Sequence, residues 1–90
     1  MAPWRVSRLE VLPNARLRVT FMDGTTGEVD MAAFLANPDT DGTVFEPLRD
    51  PAFFSLARID LGAVTWPNGA DLAPDAMHDE IRAKGVWTVD

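Results

Sequence analysis

LRVTFMDGTTGEVDM, residues 17–31, is the stretch that decides the fold. Leu17, Val19 and Phe21 alternate with Arg18 and Thr20, continuing the step from Arg16, which is the pattern of a half-buried strand. Asp23 to Gly27 reads as a hairpin loop, because Asp-Gly tolerates the positive φ that such turns need. Glu28 to Met31 then returns with Val29 and Met31 inward. Face parity sets Phe21 opposite Val29 and Thr20 opposite Asp30, with Arg18 diagonal to Asp30 on the wet face. Cross-strand pairs of this kind contribute about 0.2–1 kcal/mol each. The charges at 16, 18, 28 and 30 are thereby explained by a sheet face alone.

Upstream, Trp4 to Leu12 reads as a first strand whose alternation changes phase near Ser7 and Arg8. One extra residue flips the faces, so a bulge is expected there. Pro13-Asn14 turns the chain into the second strand. Downstream, Asp30 is placed to cap a short helix over Met31–Ala36, and Asn37–Gly42 is a breaker-rich surface loop. Asp50-Pro51 has the form of a helix start, with Phe53, Phe54 and Leu56 assigned to the core. Ala57, Ile59 and Leu61 give a fourth strand, Gly62 a tight turn, and Val64 and Trp66 one face of a short fifth strand.

WPNGADLAPD, residues 66–75, is then a corner. Trp66 anchors the core and Pro67 ends the strand. Asn68-Gly69 turns, Asp71 ties the turn with its carboxylate, and Pro74 opens a helix to about Ala83 that Gly85 stops. Ala73 is a weak N-cap, which leaves the capping to Asp71 or the Asn68 side chain. The expected architecture is α+β: a small antiparallel sheet of about five strands, made of an N-terminal β-meander plus a C-terminal hairpin, one or two short helices and a C-terminal helix. Residues 1–90 form a single domain, with 85–90 a short apolar tail that adds an edge strand, covers the sheet or docks on another chain.

Ninety residues fit one domain, since typical domains run to about 100–150 residues. A hydrophobic share of 47% supports a core. There are no cysteines, so disulfides, thiolate chemistry and cysteine zinc sites are excluded, which suits a reducing cytoplasm. No run approaches the ~20 apolar residues of a membrane span, and the N-terminus lacks the apolar run of a signal peptide. The net charge of −6 steers the chain away from phosphate backbones.

Chemistry-bearing patterns are sparse. The lone His78 reads as a solvated helix residue, and neither Ser7 nor Ser55 lies in a nucleophile motif. Asp71, Asp75 and Asp79 are spaced by four, but Asp75 is better placed to favour the helix macrodipole than to hold a metal. Gly24 and Gly27 lack the Gly-Lys-Ser/Thr of a phosphate loop. No catalytic, cofactor or metal residue is assigned, and the chain is read as a non-enzyme without cofactors. Trp66 is assigned to the core and Trp4 to a partly buried position, while Trp87 is the aromatic kept for an interface.

The strings LRVTFMDGTTGEVDM and FEPLRDPAFFSLARIDLGAVTWPNGADLAPDAM resemble a small bacterial family, domain of unknown function family 2442, from about Leu9 to Met77. The resemblance implies a small α+β fold with an antiparallel sheet and no established catalytic residues. It also implies a gene neighbour encoding a second small protein. Some relatives carry an added helix-turn-helix domain; here about seven residues follow the last helix, so DNA binding is not expected. The resulting expectation is a protein-interaction module, the antitoxin-like half of a two-protein pair, with Asn68, Asp71 and Trp87 as candidate interaction residues. A homodimer is compatible with the apolar tail; a membrane is not expected. The alternatives are a ligand-binding protein or enzyme built on Asp71, Asp75 and His78, and a nucleic-acid-binding regulator using Arg5, Arg8, Arg16 and Arg18.

Overall fold

A computed structural model describes residues 2–90. Among these residues six strands form two sheets, β1 (Val6–Leu12), β2 (Arg16–Phe21), β3 (Thr26–Asp30), β4 (Arg58–Asp60), β5 (Ala63–Thr65) and β6 (Val86–Thr88). The larger sheet has the order β1-β2-β3-β6, and β4 pairs with β5 alone. Helices α1 (Ala32–Ala36), α2 (Pro51–Phe54) and α3 (Pro74–Lys84) complete the α+β fold. The bulge falls where the phase change placed it, with the β1–β2 register shifting between Val6 and Arg8.

The β2–β3 register differs from the expected one by four residues. Leu17, not Phe21, faces Val29; Thr20 faces Thr26; Arg16 faces Asp30. Parity survives, so Leu17, Val19, Phe21 and Val29 still share the buried face. The reason is a tighter turn. Phe21 N–H donates to Thr25 C=O (2.8 Å) and Gly24, at φ 89, donates back to Phe21 C=O (3.0 Å). The Asp23 carboxylate accepts the Thr25 N–H (2.9 Å), which lets Thr26 and Gly27 join the ladder. Arg18 therefore meets Glu28 and Glu10, each at 3.4 Å, in place of Asp30.

The tail supplies the sixth strand. Gly85 adopts φ 80 and stops α3, and β6 then runs parallel to β3 with Trp87 beside Val29. The connection from β3 to β6 is a long crossover through α1, α2, the β4–β5 pair and finally α3, which permits the parallel sense. Helix α3 packs Met77, His78 and Ile81 inward. Asp50 accepts the Ala52 N–H (3.0 Å) to start α2, as its Asp-Pro sequence requires. Trp66 lies in the core, with its indole N–H donating to Phe54 C=O (2.9 Å).

Four further placements depart from expectation. Leu56 is exposed, because α2 ends at Phe54 and the chain turns outward. Trp4 is exposed, since β1 begins only at Val6. Leu61 is not a strand residue: it occupies the tight turn before Gly62 at φ 51, 83% exposed. His78 is buried, only 5% exposed, because the apolar face of α3 includes its position.

Candidate functional site

An open cleft of about 500 Å³ lies where three segments meet. Leu35, Leu48 and Phe54, all core residues, form its floor. Val11, Leu12 and Pro13 at the β1–β2 turn form one wall, and Ala32 and Ala36 of α1 with Pro51 of α2 form the other. Asn14 and Ala15 hold the turn at its end, both with positive φ (64° and 59°). The cleft exists because short side chains, Ala32 and Ala36, stand where larger ones would close it over the floor.

Arg49 fixes the rim. Its Nε–H donates to Leu35 C=O (2.6 Å), and Nη2 donates to Thr40 Oγ1 (2.6 Å) and Asn37 C=O (3.2 Å). The guanidinium also pairs with Asp41 (2.6 Å) and Glu46 (3.5 Å). These bonds satisfy carbonyls left open at the end of α1 and hold the two 3-10 turns, Pro38–Thr40 and Glu46–Arg49, against it. Arg49 is thus occupied by the protein itself. The cleft is thus lined by apolar side chains together with Asn14 and Arg49, while the segment from Asn37 to Asp50 that supplies Leu48 and Arg49 carries Asp39, Asp41, Glu46 and Asp50, of which Asp41 and Glu46 pair with Arg49.

The expected interaction residues do not converge on this cleft. Asn68 is exposed, yet both ends of its amide are used: Nδ2 donates to Val44 C=O (2.7 Å) and Oδ1 accepts the Ala70 N–H (3.1 Å). The tie assigned to Asp71 is made by Asn68. Asp71 contributes backbone pairing with Thr65 and leaves its carboxylate at the surface. Nor does either residue cap α3, whose N-cap Ala73 has no side-chain bond. Trp87 is half-buried in the other sheet.

Asp71, Asp75 and His78 do not assemble either. Asp75 accepts the Ala76 N–H (2.9 Å), while His78 Nε2 lies 2.8 Å from Asp23 Oδ2, on the β2–β3 turn. The ring of His78 also meets Phe21 edge-on, with centroids 4.8 Å apart. The Thr25 N–H, then His78, hold the Asp23 pKa down at about 2 from its ordinary 3.8. This pair clamps α3 to the hairpin. Asp23 was not foreseen as a partner, although Pro74, Met77, His78 and Ile81 follow the spacing of a helix's inner face. Of the arginines, Arg16 pairs with Glu28 (2.7 Å) and Arg18 with Glu10 and Glu28.

The family model described as Protein of unknown function (DUF2442) matches residues 6–83. No curated protein and no solved structure gives a significant match. Among the described residues no helix is long and apolar enough to cross a membrane.

Two outcomes test the site's anatomy. Asn68→Ala lowers stability by about 1–2 kcal/mol, from two lost hydrogen bonds, whereas Asp71→Ala stays within about 0.5 kcal/mol of the parent; urea melts compare them. Because the Asp23 pKa is depressed on folding, its contribution is full above pH 3.8 and is lost as pH falls toward about 2. The stability gap between the parent and Asp23→Asn should therefore close across that window; a pH-independent gap would contradict the clamp.

Proposed function

We propose an interaction role for this chain, which belongs to the DUF2442 family. The observation that carries the reading is the cleft between the β1–β2 turn, α1 and α2, apolar inside and flanked by the acidic segment 39–50. An apolar side chain or short helix of a partner protein fits the floor of Leu35, Leu48 and Phe54, and basic residues beside it are drawn to the carboxylates of the neighbouring segment, Asp39 first, since Asp41 and Glu46 pair with Arg49 and Asp50 caps α2. Charge complementarity of this kind steers encounter and selects partners. The net charge of −6 supports the same partner chemistry. In its finer form the chain is the acidic, antitoxin-like half of a two-protein pair, acting in the cytoplasm by covering a basic surface.

Catalysis is less well supported. Among the described residues the one charged side chain lining the cleft, Arg49, is already bonded to Leu35, Asn37, Thr40 and Asp41. A small apolar ligand is the second reading, favoured by a cleft volume of about 500 Å³, within the ~300–1,000 Å³ usual for ligand sites.

Ala36→Trp fills the cleft from an exposed helix position and should leave the melting temperature near that of the parent. Tagged parent and variant are each used to capture proteins from extract of the source cells. The expected result is one small basic protein retained by the parent and lost by Ala36→Trp. Retention by both would overturn the assignment to the cleft, and retention of none by the parent would overturn the interaction reading.

A further inference from the structure

The four-stranded sheet has two edges, and they are built differently. The β1 edge is broken by the bulge at Val6–Arg8, carries Arg8 and Glu10, and is met by the β4–β5 turn, whose Gly62 C=O accepts the Val6 N–H (2.9 Å). Natural sheets protect their edges with such charges, bulges and covers. The β6 edge is only three residues long. Val86, Trp87 and Thr88 contain no charge, proline or bulge, and among the described residues no strand pairs with their outer side.

The hydrogen-bond phase of β6 is set by its ends. Gly85 C=O accepts the Glu28 N–H (3.3 Å) and the Val89 N–H donates to Asp30 C=O (3.0 Å). Positions 85, 87 and 89 thus face β3, and the backbone groups of Val86 and Thr88 point outward. The geometry points to a homodimer in which β6 pairs antiparallel with β6 of a second copy, centred on Trp87. In that register Val86 of one copy faces Thr88 of the other, and each such pair exchanges both N–H···O bonds. Trp87 meets its twin in the non-hydrogen-bonded position, where side chains approach most closely. The contact buries the part of the Trp87 indole that the monomer leaves exposed. Charge agrees with the same register: Lys84, exposed and 3.1 Å from Glu80 on its own helix, and exposed Asp90 flank β6 at opposite ends, so the antiparallel arrangement brings the Lys84 end of one copy to the Asp90 end of the other. The edge is separate from the cleft and does not depend on the role proposed for it.

Sedimentation equilibrium across a concentration series tests the dimer. The parent should pass from monomer to dimer as concentration rises, with the amides of Val86 and Thr88 gaining exchange protection in step. Thr88→Pro removes an outward N–H while sparing the bonds to β3, and should stay folded by circular dichroism yet monomeric throughout. Lys84→Glu should raise the dissociation constant several-fold, and Lys84→Glu combined with Asp90→Lys should restore it, which keeps the proposal testable if Thr88→Pro does not fold. Ala36→Trp should leave the dimer unchanged. A parent that is monomeric at every concentration overturns the proposal. So does a dimer indifferent to both the proline and the charge reversal.

Discussion

A Cβ built on Gly27 would lie 2.5 Å from both the Gly85 carbonyl oxygen and Ile81 Cγ2, so the end of α3 can rest on β3 only because position 27 has no side chain. That close approach determines where the last quarter of the chain goes. It sets Gly85 within reach of the Glu28 N–H (3.3 Å), from which β6 starts parallel to β3. The other half of α3 is held by His78 against Asp23 and Phe21. A helix fastened at its middle and at its C-terminal end to one hairpin converts a three-stranded meander into a four-stranded sheet with a covered face. Val29 of β3 is buried, as are Met77 and Ile81 on the inner face of that helix.

The parts of the fold that were legible in the sequence are those with local signals. The phase break at Ser7-Arg8, Asp50 before Pro51, Pro74 at a helix start and Gly85 at its stop each act within a few residues, and each stands where its chemistry placed it. Trp66 was legible as core because it continues the face of Val64. The β2–β3 register was legible only to its parity. A side-chain period of two residues cannot distinguish shifts of four, and the deciding bond, from Thr25 N–H to Asp23, belongs to the turn. The parallel pairing of β6 and the burial of His78 depend on partners far along the chain, Asp23 being 55 residues from His78. The cleft was not legible at all, since its walls come from three separated segments and its depth from the smallness of Ala32 and Ala36.

The corner at residues 66–75 illustrates how a distinctive string can be architectural. Pro67 and Gly69 shape the turn, while Asn68 reaches from it to the carbonyl of Val44 and so ties the corner to the acidic segment beside the cleft. Arg49 ties that segment to α1 from the opposite side. Polar side chains in this protein are spent largely on joining short elements, which a domain of 90 residues needs because its core is small. Two apolar surfaces remain, the cleft on one side and the β6 edge on another. The interaction role proposed above rests on such surfaces.

The dependence of the architecture on Gly27 is tested most directly by Gly27→Ala, with amide hydrogen exchange followed residue by residue. The account predicts a loss of about 1–3 kcal/mol in stability, the usual cost of overpacking. It also predicts selective loss of protection at Trp87 and Val89, whose amides face β3, while β1–β2 pairing stays protected. An alanine accommodated with unchanged stability and unchanged protection along β6 would contradict it.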